Sequence, residues 1–576
     1  MFHFLPFGRK IKTDPLTDLK SITQWMDDLP LGDIYSANEK VVAAIKEFNE
    51  QKLAFTRDRL EVLMHLDETS QDNQETLLQQ YLRNPRMSRT IESRLWNAMF
   101  CFCREVIRGY HSFIMDYVAN PSGSKIAAQI PLITARAIRY FGLEANLHYY
   151  RYEQVEPKMW KRLHNLYHFA EYEEFENKPC TLYDKDKSLI TTCTNEYMRI
   201  LMLNTLNRGS LYPRQIHMVD QWLDLLVPDI VLERDYDPTR HVFQVHLGET
   251  SGARRIRRPP KDELIRYWSI NALFEHIERI KQALMNGELP VRLGLTEECR
   301  LPACLEFLER IEQLWSPEGE KRAQRAHERK SVKKMIDVLR GWAEICVEVK
   351  QDNNRNQVKK NVEDVEQELS YDEMVDYKLY GFVTHRTQVK IIHEHEEEPK
   401  PQPRGTRERW VMENESEQGY GAVIKDIDNE WVRLGKLVGL KPEKKGSWVI
   451  GVVRRLSCVP EDHHYVGIEI IAQNPIVVML RPENQKSSGY TIDGVDSVDV
   501  VLPIPALYIK GDADKKRPDT LVLQSAEYAT GRELELSAKG KSYKVSLNKV
   551  LERGDDWLRV SFNVLAKKET GTKRPV

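Results

Sequence analysis

Asn414, Ser416 and Gly419, in the run RERWVMENESEQGYGAVI, are the residues whose types and spacing most plainly serve chemistry. A side-chain amide and a hydroxyl stand two apart at the end of an apolar strand-like run, and a glycine follows three residues on. Amide and hydroxyl donate to and accept from the polar edges of a ligand, while glycine lets its backbone approach closely. This is binding chemistry. Signatures of catalysis are missing: the chain has no Gly-rich loop ending in Gly-Lys-Ser/Thr, no His-Glu-x-x-His, no Gly-x-Ser-x-Gly and no strand-bound Gly-x-Gly-x-x-Gly. Ser331 and Lys334 satisfy Ser-x-x-Lys, but in a basic run without the companion motifs of that enzyme class, which makes the match a coincidence of spacing. The expectation is a protein that is not an enzyme.

Metal chemistry is not supported by spacing. Cys101 and Cys103 lie on opposite sides of a helix, Cys299 and Cys304 have no second ligand pair, and His393 and His395, flanked by Glu394, Glu396 and Glu397, read as a charged edge. The eight cysteines form no dense framework, so free thiols and a reducing, cytoplasmic setting are expected. The start, MFHFLPFGRK, has too short an apolar run for a signal peptide, and no stretch reaches the length of a membrane span. Arg254, Arg255, Arg257, Arg258 and Lys261 form one basic run, and EKRAQRAHERKSVKK another. Either can touch phosphate, yet no aromatic residues interleave with them, so both read as solvated surface. Lys+Arg (85) and Asp+Glu (87) nearly cancel, and no global field steers the chain to a polyanion.

The elements that must position these residues follow from periodicity. Val41, Val42, Ile45 and Phe48 recur at helical spacing, as do Trp160, Leu163, Leu166 and Tyr167, then Tyr197, Ile200 and Leu201, then Tyr267, Leu273, Phe274 and Ile277. An all-α region over 1–350 is predicted, a bundle or a degenerate solenoid, with one small β-hairpin inserted at 230–247 around an Asp-Pro turn. The stretch QDNNRNQVKKNVEDVEQ has almost nothing to bury, and 351–371 is read as a polar linker. Beyond it the period becomes alternating: Trp448, Ile450 and Val452 share one strand face, as do Val466, Ile468 and Ile470, and these six are expected to line a barrel interior. Gly540 marks a hairpin turn at 538–541. The fold class is therefore α+β multidomain, with a β-barrel over 372–485 and a further β-rich unit, either a smaller one or a second barrel, over 486–576.

Asn414-x-Ser416-x-x-Gly419, followed by VRLGKLVGL, GSWVIGVVRRL and YVGIEII in that order, resembles the PilZ family over about 380–480. PilZ domains are small six-stranded β-barrels that bind cyclic di-GMP, and the resemblance implies that ligand here. The ligand presents two phosphates and two guanines, and arginine pairs bidentately with a phosphate or with guanine O6 and N7. The resemblance also implies, in members that bind ligand, an Arg-x-x-x-Arg pair on a flexible segment roughly two dozen residues ahead of the Asn/Asp motif. Two groups are candidates: Arg386 with Lys390, at the family separation but with lysine as a point donor, and Arg404, Arg407 and Arg409, nearer the motif. The implied function is a cytoplasmic bacterial signalling adaptor that binds cyclic di-GMP at its barrel and an unidentified protein partner through its helical region. No other cofactor or metal is implied. The alternatives are a ligand-independent, chaperone-like scaffold and an RNA-associated protein.

Overall fold

A computed structural model describes residues 15–30, 32–84, 87–183, 190–206, 209–258, 262–296, 298–317, 330–364, 407–425, 431–442, 446–459, 463–482, 503–511, 517–538 and 541–568. The chain forms two compact units, Met1–Ala326 and His327–Val576.

The first unit is built from α1 (Leu19–Asp27), α2 (Ile34–Glu50), α3 (Arg57–Arg83), α4 (Arg89–Ala119), α5 (Ile130–Tyr150), α6 (Pro157–Tyr172), α7 (Cys193–Leu206), α8 (Pro213–Leu226), α9 (Asn271–Met285) and α10 (Ala303–Trp315). Local chemistry sets their starts: Asp18, Asp33 and Thr56 accept hydrogen bonds from the backbone N–H of Ser21, Ser36 and Arg59. Helix α5 is buried on almost every side, which makes it the central rod of the bundle. It is also tied by charge. Asp67 on α3 accepts from the hydroxyls of Tyr110 (2.6 Å) and Tyr140, and Arg136 of α5 pairs with Asp67 (3.6 Å) and Glu68 (2.5 Å). One turn on, Arg139 bonds Glu196 of α7 at 2.8 Å, while Arg199 of α7 bonds Asp220 of α8 at 2.9 and 2.6 Å.

Strands are few here. A two-stranded pair joins β1 (Cys180–Thr181) to β2 (Ile190–Thr191), and a three-stranded antiparallel sheet has the order β4-β3-β5, from β3 (His241–His246), β4 (Arg254–Arg255) and β5 (Ile265–Ser269). This revises the expected hairpin at 230–247. Its second run becomes β3, but its first run is held only by a bridge from Glu233 to Tyr267, and Tyr267 belongs to β5 rather than to a helix. The basic run beside it is partly structural: Arg255 donates to the carbonyls of Leu314 and Trp315, and Arg254 pairs with Glu249. Cys299 and Cys304 are joined in a disulfide with Cα atoms 5.1 Å apart, against the expectation of free thiols.

The second unit begins with a strand that the sequence reading missed. β6 (Lys330–Leu339) lies inside the region read as helical, and it is followed by α11 (Trp342–Asp364), which occupies much of the expected linker. Then come β7 (Arg407–Ser416), β8 (Gly419–Lys425), β9 (Leu437–Pro442), β10 (Val449–Val459) and β11 (His463–Ala472). They close into a six-stranded antiparallel barrel of order β10-β11-β8-β7-β6-β9. A second closed barrel follows: β12 (Ile476–Pro482), β13 (Ile504–Ile509), β14 (Thr520–Gln524), β15 (Glu533–Ala538), β16 (Lys541–Arg553) and β17 (Trp557–Lys568), in the order β12-β13-β14-β17-β16-β15. The β15–β16 hairpin turns at 538–541 as its glycine predicts.

Helix α11 packs into the seam between the barrels. Its Ile345, Cys346 and Val349 share one buried cluster with Trp448 just ahead of β10, with Ile450 and Val452 of β10, and with Leu507, Val522 and Trp557 of the second barrel. So Trp448, Ile450 and Val452 point away from the first barrel's interior, and the expected inward face is corrected for these three. Their neighbours Val449 and Val453, buried on the other side of the strand, face the interior instead. The sequence could not distinguish the two faces because both are buried. The seam is also held by polar contacts: the Trp557 indole donates to the Gly435 carbonyl (2.8 Å), Lys436 pairs with Asp556 (2.9 Å), and Arg454 pairs with Glu552.

Candidate functional site

The Asn414 motif occupies the β7–β8 hairpin. Ser416 pairs with Gly419 across a two-residue turn, and its hydroxyl donates to the Gly419 carbonyl at 3.3 Å. The register of β7 against β8 slips between Met412 and Asn414, so Glu413 is an extra residue, a β-bulge. Met412 is buried toward the interior with Ala422 and Val466. Strict alternation would put Asn414 on that same side. The bulge turns it outward instead, opposite Gly421.

Following the register across the barrel gives one outward row, Asn414–Gly421–Gly467–Arg455, taken from β7, β8, β11 and β10. A second bulge, between Val453 and Arg455, serves β10 in the same way. Val453 and Leu456 are both buried, and the two residues between them, where one would keep the alternation, both point outward. Arg454 pairs with Glu469 at 2.7 Å and with Glu552; Arg455 lies against Gly467, whose Cβ, if it had one, would stand 3.1 Å from that of Arg455.

The two central glycines leave a floor without side chains. Tyr465 covers part of it: its phenol oxygen lies 2.2 Å from where a Cβ on Gly421 would be, and it accepts from the Asn414 amide nitrogen at 3.2 Å. Gly419 is demanded by the backbone, since a Cβ there would meet the Ile468 carbonyl oxygen at 2.3 Å. Beside the turn, Lys334 of β6 pairs with Glu415 at 3.1 Å. Asn414, Tyr465 and Arg455 thus share the outward side of the barrel around the two glycines.

The structure treats the sequence-predicted site residues unequally. Asn414, Ser416 and Gly419 come together at one end of the barrel. Arg407 and Arg409 do not join them: they pair across to Leu339 and Asp337 at the other end of β7, and both guanidiniums bind Asp337, at 2.6 and 3.2 Å. Five residues of strand put Arg409 about 15 Å from Asn414. Arg386, Lys390 and Arg404 lie outside the described residues, as do His393 and His395. By sequence, all three precede Arg407.

The first residues of β6 lie beside the motif. Lys330, where β6 opens, pairs with Glu415, and Ser331 pairs with Asn414. The residues just ahead, RAHER, give Arg325 and Arg329 the Arg-x-x-x-Arg separation, although Arg329 stands 85 residues ahead of Asn414 and not about two dozen. They lie outside the described residues, within the basic run already noted. The signal was present in the sequence, but a barrel assumed to start at 372 put it out of reach.

Residues 20–238 match the family model described as "Cyclic-di-GMP receptor FimW, N-terminal domain", and residues 327–475 match "Cyclic-di-GMP receptor FimW, middle PilZ domain". The second match opens just ahead of β6 and closes just before β12, so it takes in the whole first barrel with α11 and leaves the second barrel outside. No curated protein and no solved structure matches the chain. Among the described residues no helix is long and apolar enough to cross a membrane, and no group of three or more His, Cys, Asp or Glu side chains could hold a metal ion.

Proposed function

We propose that this chain, which belongs to the PilZ-domain family of cyclic di-GMP receptors through residues 327–475, binds cyclic di-GMP at the Asn414 end of its first barrel. The observation that carries the reading is the register of β6 on β7: Lys330 stands beside Glu415, between Asn414 and Ser416, and Arg329 and Arg325 precede Lys330 by one and five residues in sequence. Two arginines supply the bidentate partners that two phosphates and two guanine edges require, while Asn414 and Ser416 supply neutral hydrogen bonds. In this reading the protein is a cytoplasmic signalling adaptor without catalytic activity, and its helical unit meets a protein partner. The match of residues 20–238 to the N-terminal domain of a cyclic di-GMP receptor supports pairing these two parts in one signalling protein.

Calorimetric titration of the full chain with cyclic di-GMP, alongside cyclic di-AMP and GTP, tests the proposal. Saturable micromolar binding of cyclic di-GMP is expected. Alanine at Arg325 or Arg329 removes a charge-assisted contact of about 1.5–3 kcal/mol, a loss of roughly ten-fold or more. Alanine at Arg407 or Arg409, each engaged with Asp337 at the remote end, leaves affinity within about two-fold. Arg386→Ala and Arg404→Ala test the other sequence candidates; a ten-fold loss there, with Arg325 and Arg329 silent, would move the cationic half of the site. Absence of binding by the wild-type chain would leave the ligand-independent scaffold as the reading.

A further inference from the structure

The outward row of β7, β8, β11 and β10 holds two residues that the motif does not include. We propose that Tyr465 and Arg455 complete the ligand site: one guanine stacks on the ring of Tyr465, and Arg455 reads the O6/N7 edge of that base. The inference rests on the reading of this barrel end as the cyclic di-GMP site and adds the residues that choose the base.

Three observations carry it. First, the Tyr465 oxygen sits at the height of an absent Gly421 Cβ, which means that the side chain lies along the sheet instead of standing off it. Tyr465 is directly opposite Val423, so it reaches Gly421 diagonally, a span that an aromatic side chain covers. Second, its hydroxyl accepts from the Asn414 amide at 3.2 Å, which puts the ring and the motif in contact. Third, the bulge at 454 delivers Arg455 to the same face, over Gly467, in register with Gly421 and Asn414. Any side chain larger than glycine at 421 or 467 would displace these residues. Neighbouring strands stand about 4.8 Å apart, so the row from Asn414 to Arg455 spans about 14 Å. Tyr465 and Arg455 are both half-buried.

The chemistry decides the base. Every base has a π-face and stacks on tyrosine, so the ring gives affinity without choice. Guanine shows two acceptors on its major-groove edge, N7 and O6, whereas adenine shows one acceptor and one donor. A guanidinium satisfies the first pattern with two parallel N–H donors and clashes with the second.

Titration of the full chain and its variants with cyclic di-GMP and cyclic di-AMP tests this. Tyr465→Leu keeps bulk over Gly421 but has no π-face, and it should weaken both ligands about ten-fold; Tyr465→Phe, which keeps the ring and loses the bond to Asn414, should weaken them two- to three-fold. Arg455→Ala should cut the preference for cyclic di-GMP over cyclic di-AMP about ten-fold. A cyclic dinucleotide carrying 2-aminopurine should be quenched on binding to wild type and to Tyr465→Phe, and stay bright on Tyr465→Leu. Thermal melting checks that each variant folds, and the quenching ratio does not depend on its stability. Wild-type binding with Tyr465→Leu and Arg455→Ala indistinguishable from it overturns this inference alone. No binding by wild type overturns the function and this inference together.

Discussion

Gly419 offers a test of why the motif needs a glycine at all. A Cβ built there stands 2.3 Å from the Ile468 carbonyl oxygen and 3.4 Å from its carbon. Carbon–oxygen contacts settle at about 3.3 Å or more, so alanine requires β8 and β11 to part by roughly 1 Å. Both atoms are backbone, and no rotamer change relieves the clash. The end of the ladder gives way, including the bond from the Ile470 N–H to the Gln418 carbonyl at 2.9 Å. Overpacking costs about 1–3 kcal/mol and a lost ladder bond about 0.5–1.5, so Gly419→Ala should destabilise the second unit by about 2–4 kcal/mol. Two neighbours calibrate this. Gly446 has nothing within 4 Å of its added Cβ and no positive φ, so alanine there should be neutral, or stabilise by about 0.4–1 kcal/mol. At Gly421 the obstacles are the Tyr465 hydroxyl (2.2 Å) and the Asn414 amide (2.7 Å), ends of side chains that can swing away. Gly421→Ala should therefore spare stability and reduce cyclic di-GMP affinity. Urea unfolding followed by tryptophan fluorescence, with calorimetry in parallel, separates the two effects. A Gly419→Ala midpoint equivalent to that of Gly446→Ala within about 0.5 kcal/mol would refute the steric argument.

Two further predictions concern the helical unit. Asp67→Ala deprives Tyr110, Tyr140 and Arg136 of their shared carboxylate; with only Glu68 left beside Arg136, the loss should be about 3–5 kcal/mol in urea unfolding, and a change below about 1 kcal/mol would mean that the network is not a hub. Burial pushes the Asp220 carboxyl up, but its bonds to Arg199 prevail and hold it below the usual carboxylate range. A depressed folded value gives stability that is fully present above about pH 4 and lost as pH falls further; Asp220→Asn should flatten the acid limb of a melting-temperature profile, and an unchanged acid limb would refute the assignment.

What was legible in the sequence was what local pattern encodes. Helical spacing marks most of the first unit, the glycine at 540 marks the β15–β16 turn, and Asn414-x-Ser416-x-x-Gly419 marks a hairpin because turn chemistry is local. β6 was hidden because Lys330, Lys333 and Lys334 give its first half a solvated look, while its hydrophobic end, Ile336 to Leu339, is too short to read as a strand. Its partners, β7 and β9, stand beyond α11, so only tertiary pairing assigns it.

The bulges were hidden for a different reason. One extra residue leaves composition and hydropathy almost untouched, yet it reverses which side of the barrel every later residue faces. Read by alternation, Asn414 would point inward with Met412, and one of Arg454 and Arg455 would share the interior with Val453. With Glu413 and one residue of the Val453–Leu456 step set aside, Asn414 and both arginines face out. The β10 bulge then divides two adjacent cations between two tasks: Arg454 is paired with Glu469 and with Glu552 of the second barrel, while Arg455 lies on the glycine floor beside the motif. The extra residue on β10 is thus what allows a single strand to hold the neighbouring barrel through Arg454 and to set Arg455 on the outward row of the proposed site.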